Sequence, residues 1–187
     1  MKDLILASQS PRRREILSRC GIPFLVDAAD IDEHLNESLS LSDAVKELSL
    51  RKAMAVLERH PDSIVIGSDT IVTLDGAVLG KPADQAEAEE MLARLSGRTH
   101  EVITGLAIVS SRKIYQNVSV SEVTMNPLSK QDITSYIQTG EAYDKAGAYG
   151  IQGFAGNFIP SIHGDFYAIM GLPLSMVYEE LKNAEDY

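Results

Sequence analysis

The chain has little cysteine, a deficit of positive charge and no long hydrophobic run, and each shortage closes off a class of function. Cys20 is the one cysteine in 187 residues, so no disulfide forms within the chain and no cysteine cluster binds zinc. A reducing, cytoplasmic setting is the default expectation. Lys and Arg total 17 against 27 Asp and Glu, a formal net charge of -10. A general nucleic-acid binder is basic, so that role is disfavoured. An acidic chain holds a polyanion only where cations gather locally or a divalent metal helps. No apolar run is long enough to span a bilayer, so no membrane role is expected. Met1–Ala7 reaches only four consecutive apolar residues and does not read as a signal peptide. His34, His60, His100 and His163 lack metal-ligand spacing. No repeat, nucleophile-elbow serine or Gly-x-Gly-x-x-Gly opening a helix is present, and Gly80-Lys81-Pro82 does not complete a Walker-type loop. At 44% hydrophobic and 24% charged, the composition is that of a folded globular chain. The length suits one large domain or two small lobes around one cleft.

What is present begins with three arginines in an unfavourable place. Leu4–Ala7 reads as a strand, Ser8-Gln9-Ser10 as a turn, and Pro11 as the first helical residue behind an Ser10 N-cap. The helix is expected to run through Ile16, Leu17 and Cys20 until Gly21 stops it, with Cys20 as a core residue. The first turn of a helix already carries positive partial charge, yet Arg12, Arg13 and Arg14 fall there. Broken local rules mark function. A phosphate at Arg12 and Arg13 is the simplest resolution, held by N–H groups, hydroxyls and guanidinium forks. Arg14 reads as solvated.

Further along, Leu25–Ser40 is an acidic loop. A helix is expected over Asp43–Arg59 with Ser42 as cap. A strand from Ile64 to Leu74 turns at Asp75-Gly76, a strong hairpin signal, and returns through Ala77–Leu79. Asp84 and Glu87 form a capping signature for a helix with the stripe Ala88, Met91, Leu92 and Leu95. Val102–Val109 and Ile114–Val123 read as paired strands, and Ser129 caps a helix ending near Gly140. A glycine-rich loop spans Asp144–Gly156. Phe158–Ile162 and Phe166–Met170 read as a hairpin across His163-Gly164, and Pro173 opens the last helix. Strand pairs with short connections predict an α/β (α+β) fold with a mixed, mostly antiparallel sheet flanked by helices, not a doubly wound parallel one.

Several residues stand out chemically. Asp69 interrupts an apolar strand and, if the strand is central, needs a partner, a metal or a water. Pairing across the hairpin sets Thr70, not Asp69, on the face of Lys81, so Asp69 and Lys81 meet only if a bulge at Gly80 or Gly67 intervenes. Lys52 lies on a stripe with Val45, Leu48 and Val56, and spacing alone favours snorkelling. The acidic loop offers Asp30, Asp32 and Glu33 as magnesium-compatible carboxylates, with no chemical reason to choose among them. In the glycine-rich loop, Gln152 has the donor and acceptor needed to read a base edge.

Five stretches, in order, resemble the Maf family of nucleoside triphosphate pyrophosphatases: Ser8-Gln9-Ser10-Pro11-Arg12-Arg13; Gly67-Ser68-Asp69-Thr70 with Gly80-Lys81-Pro82; Leu95-Ser96-Gly97; the Asp144–Gly153 loop; and Gly171-Leu172-Pro173. The resemblance implies one Maf/ITPase-like domain over 1–187, with a large curved sheet and two lobes around a central cleft, in a family that is often dimeric. It implies hydrolysis of a nucleoside triphosphate to monophosphate and pyrophosphate, including removal of non-standard nucleotides. Asp69 matches the proton acceptor. Ser8, Arg12, Arg13, Glu33, Lys52 and Lys81 match positions lining the site, and Arg12, Thr70 and Gln152 match positions tied to base choice. Asp69 and Glu33 are the implied carboxylates for Mg2+ or Mn2+. Thr70 and Tyr149-Gly150-Ile151-Gln152-Gly153 are similar to the branch acting on dTTP and UTP. The alternatives are the 7-methyl-GTP branch and a nucleotide-binding regulator of septum formation.

Overall fold

The computed structural model describes residues 2–182 and Tyr187. Its strands are β1 (Leu4–Leu6), β2 (Leu25–Val26), β3 (Ile64–Leu74), β4 (Ala77–Leu79), β5 (Thr99–Val109), β6 (Ile114–Thr124) and β7 (Ser161–His163). Its helices are α1 (Pro11–Ser18), α2 (Leu41–Leu57), α3 (Gln85–Leu95), α4 (Lys130–Gln138), α5 (Phe166–Met170) and α6 (Leu174–Leu181). The strands make one sheet in the order β2-β1-β3-β5-β6-β7, with β4 on β3. β1 runs parallel to β2 and β3, while β4 is antiparallel to β3 and β7 to β6. β5 and β6 are neighbours joined only by residues 110–113, where the Ser110 N–H donates to the Lys113 carbonyl at 2.9 Å. So short a connection joins antiparallel strands. The mixed, mostly antiparallel sheet flanked by helices is therefore as the connections predict.

The chain divides into two compact units. The first comprises Met1–Thr70, Thr104–Ser119 and Gly171–Tyr187; the second comprises Ile71–Ile103 and Val120–Met170. Each has its own core. In the first, Ile5 and Ala7, Ala53, Val56 and Leu57 of α2, Val65, and Ala107 and Val109 pack together. α2 sits against the sheet at two glycines. A Cβ on Gly67 would collide with the Ser49 carbonyl and lie 2.8 Å from the Ala53 nitrogen. One on Gly105 would lie 2.6 Å from the Val45 carbonyl oxygen. Helix main chain thus rests directly on strand main chain, which no larger residue permits.

In the second unit the predicted stripe Ala88, Met91, Leu92 and Leu95 is buried against Val72, Leu74, Val102, Ile133, Tyr136 and Ile137. Full burial of each such large side chain is worth about 1.5–3 kcal/mol. The hairpin holds Leu74 opposite Ala77, and Asp75 and Gly76 both have positive φ, 53° and 79°, the pair of torsions a type I′ turn requires. Ser129 and Asp132 form a reciprocal capping box on α4.

Four local expectations are corrected. α1 ends at Ser18, so half-buried Cys20 lies in the turn after it rather than on a core face. α2 starts at Leu41, because the cap is Ser40, whose hydroxyl accepts from the Asp43 N–H at 3.2 Å. The acidic segment opens with a two-residue strand, β2, too short to signal in sequence. Phe166–Met170 is a helix, not a strand: the Asp165 carboxylate accepts from the N–H groups of Tyr167 and Ala168 at 2.8 and 3.1 Å and caps it.

Candidate active site

Asp69 shares a face of β3 with Gly67, two residues earlier, and that face receives α2. One turn beyond Ser49 on α2 comes Lys52. Its ammonium donates to Asp69 Oδ1 at 2.7 Å and pairs with Glu33 Oε1 at 2.9 Å. The Lys52 side chain is 7% exposed and Asp69 15%, whereas Glu33 is 61% exposed. Lys52 therefore does not snorkel. The close seat at Gly67 brings its stem inside, and two carboxylates offset the desolvation of its charge. Of the acidic-loop carboxylates Asp30, Asp32 and Glu33, it is Glu33 that pairs with Lys52.

The loop is fixed by a residue that sequence reasoning missed. Arg51, next to Lys52, donates to the carbonyls of Asp32 and His34 at 2.7 and 2.6 Å, one on each side of Glu33. Consecutive basic residues near the middle of a helix facing an acidic loop were the available signal.

The other face of β3 carries Ser68 and Thr70. Ser10 caps α1, its hydroxyl accepting from the Arg13 N–H at 3.4 Å. The Arg13 side chain turns inward instead of splaying into water. Its Nε donates to the Gly171 carbonyl at 2.7 Å, Nη1 to Ser8 Oγ at 3.4 Å and Nη2 to Thr70 Oγ1 at 3.2 Å. Thr70 also bonds Thr104 at 3.0 Å, and Ser68 Oγ contacts the carbonyls of Gly105 and Gly171. Burial pulls the Arg13 pKa below its usual value, Asp69 and Glu33 push it back up, and Arg12 lowers it. The two carboxylates thus favour the charged form of Arg13, while its burial and Arg12 oppose it. Among the described residues the Arg13 contacts use three of its five guanidinium N–H groups. Arg12 is half-buried and Arg14 exposed.

Lys81 and Gln152 belong to the second unit, and both are exposed. β4 stops at Leu79, so the ladder assigns Lys81 no partner strand residue. The glycine-rich stretch is not a loose surface loop. It forms a tight turn at Ala146–Ala148, where Gly147 and Ala148 have positive φ, and a helical turn at Phe154–Phe158, with Ala148, Tyr149 and Ala155 buried. His100, unremarkable in sequence, bonds the Tyr149 hydroxyl through Nε2 at 2.6 Å.

Among the described residues, no group of three or more His, Cys, Asp or Glu is arranged to hold a metal. Asp69 and Glu33 converge on the Lys52 ammonium from two segments. Two carboxylates facing one cation fit magnesium or manganese chemistry, in which few protein oxygens join waters and substrate phosphates. Among the described residues, no helix is long and apolar enough to cross a membrane.

The family profile described as Maf-like protein matches residues 3–184. The chain belongs to the Maf family. This Maf-family chain is 52% identical over 181 residues to a dTTP/UTP pyrophosphatase of Symbiobacterium thermophilum, covering 97% of this chain and 93% of that protein. It is 49% identical to a dTTP/UTP pyrophosphatase of Bacillus cytotoxicus, covering 97% and 95%. Among solved structures, the Staphylococcus aureus Ham1 protein aligns with TM-score 0.47 at 14% identity, over 66% of this chain and 72% of that one. A nucleoside-triphosphatase / dITP/XTP pyrophosphatase from Mycobacterium abscessus aligns with TM-score 0.45 at 16% identity, over 68% and 76%.

Proposed function

We propose that this chain hydrolyses dTTP and UTP to the nucleoside monophosphate and pyrophosphate. The observation that carries the reading is Asp69, borne on a strand and tied to buried Lys52 at 2.7 Å. The names of relatives sharing about half its residues supply the substrate pair. Asp69 takes the proton of the water that attacks the α-phosphorus, and Lys52 keeps its carboxylate aimed. Arg12, Arg13, Lys52 and Lys81 neutralise charge that moves towards the leaving pyrophosphate. Ser8 and Thr70 set the Arg13 fork, while Arg12, Thr70 and Gln152 govern the choice of base. A divalent cation held through Asp69 and Glu33 would supply charge neutralisation and a more acidic water. The two units are lobes of one domain, 1–187, a reading supported by a single family match running through both. The enzyme acts on free nucleotides in the cytoplasm.

Hydrolysis of a nucleotide panel, with and without divalent ions and with products identified, tests this. Pyrophosphate and dTMP from dTTP are expected. Asp69→Asn is expected to lower kcat by about 10²–10⁴-fold in a variant that still unfolds cooperatively. Near-normal pyrophosphate release by that variant removes Asp69 from its role. Preference for 7-methyl-GTP overturns the pyrimidine assignment and leaves the hydrolase standing.

A further inference from the structure

Gln152 occupies the third position of a β-turn, Gly150-Ile151-Gln152-Gly153, closed by the Gly153 N–H donating to the Gly150 carbonyl at 3.1 Å. The glycine at its far end is not there for its torsions, since Gly153 has a φ of -102°. Side chains from the stretch 141–145 lie close against both ends. A Cβ on Gly150 would meet Lys145 Cε and Cδ at 2.8 and 2.9 Å and Gln152 Oε1 at 3.2 Å. A Cβ on Gly153 would run into Glu141 Oε2 and lie 2.9 Å from Glu141 Cδ.

The two side chains are themselves anchored. The Glu141 carboxylate accepts from the Phe154 N–H at 3.1 and 3.3 Å. Lys145 donates to the Glu141 carbonyl and to Asp144 Oδ1, each at 2.6 Å, and its side chain is only 12% exposed. The turn is thus gripped at both ends from one neighbouring segment. The Gln152 carboxamide oxygen and the Lys145 stem both lie close to Gly150. An exposed glutamine on an unsupported turn would have to be ordered at each binding event, at an entropic cost that weakens discrimination.

We propose that Glu141 and Lys145 are positioning residues for nucleobase selection, holding the Gln152 turn and its carboxamide in one place. The proposal rests on the assignment of Gln152 to base choice. Neither residue touches the nucleotide; both act through Gln152.

The test compares kcat and KM for dTTP and CTP in Glu141→Ala, Glu141→Gln, Lys145→Ala, Gln152→Ala and the double variant Glu141→Ala/Gln152→Ala, with thermal unfolding of each. Glu141→Ala and Lys145→Ala are expected to raise KM for dTTP about tenfold, as loss of one good hydrogen bond does, with kcat within about twofold of wild type. The dTTP-over-CTP ratio of kcat/KM narrows in step. Glu141→Gln, which still accepts from the Phe154 N–H, restores most of both. The double variant is no worse than Gln152→Ala alone, because the effects share one route. If the single variants leave KM and the ratio unchanged while Gln152→Ala shifts them, the clamp is wrong and the assignment of Gln152 survives. If Gln152→Ala itself changes neither, that assignment falls and takes the clamp with it. A uniform loss of kcat for both nucleotides, tracking lowered thermal stability, makes the pair merely structural and also overturns the proposal.

Discussion

In the first unit the buried polar chemistry is ionic: Lys52 lies inside at 7% side-chain exposure, with Asp69 and Glu33 on its ammonium. In the second unit a neutral pair is more deeply buried than any such ion: His100, 2% exposed, meets the Tyr149 hydroxyl at 2.6 Å with its ring at 85° to the tyrosine. Burial holds the His100 pKa down to about 4 and pushes that of Tyr149 up, so both are uncharged near neutrality. The contrast fits a division of labour. A charged interior costs desolvation, which the two carboxylates on the Lys52 ammonium offset. A neutral polar pair costs less and suits a scaffold that fixes the shape of a loop, here the one bearing Gln152.

The comparison breaks most visibly at Lys52. Lys52→Met leaves Asp69 half-buried and unpaired, and a stability loss of about 3–5 kcal/mol by urea unfolding is expected. Adding Asp69→Asn is expected to recover part of it, although neither variant hydrolyses nucleotide well. If Lys52→Met is as stable as wild type, the charged interior is not what its distances imply.

The second unit is probed by acid. An unfolded histidine binds a proton as pH falls through its usual 6.5, whereas folded His100 resists until about 4. The unfolded chain therefore takes up more protons in that window. Stability falls as pH drops from about 6.5 to 4, by roughly 3 kcal/mol in total. His100→Gln is expected to flatten that part of the pH–stability profile; an unchanged slope contradicts it. The smallest effect is expected at the surface of the same unit. Arg98 and Asp75 pair at 2.7 Å, but with side chains 45% and 71% exposed, so Arg98→Ala should cost less than about 1 kcal/mol. A larger loss there would mean that exposed charge matters in the second unit after all.

Elements with local causes were legible in the chain. The Asp75-Gly76 turn, the Ser129 cap and the α3 stripe each depend on residues within a few positions, and each was read correctly. The cap of α2 was open to the same reading, since Ser40-Leu41-Ser42-Asp43 is the capping signature, but Ser42 competes with it at two residues' distance. The short apolar run Phe166–Met170 reads as strand because periodicity cannot separate five apolar residues of either kind; Asp165 ahead of it is the better guide. Lys52 lay beyond spacing altogether. Its partner is 17 residues away on another element, and whether a lysine in an apolar stripe reaches out or stays in depends on what the neighbouring strand offers. Arg13 was foreseen as a host for anions but not as a tie joining Ser8, Thr70 and Gly171, because those contacts span up to 158 residues.

At Gly67 and Gly105 the strands place no side chain between themselves and α2. The gap between the lysine nitrogen and the aspartate oxygen is therefore gauged by backbone thickness, not by how methyl groups happen to fill space. Neighbouring aliphatic residues can drift through Val, Ile and Leu over generations without detuning that gap, while a single methyl at either glycine shifts it at once.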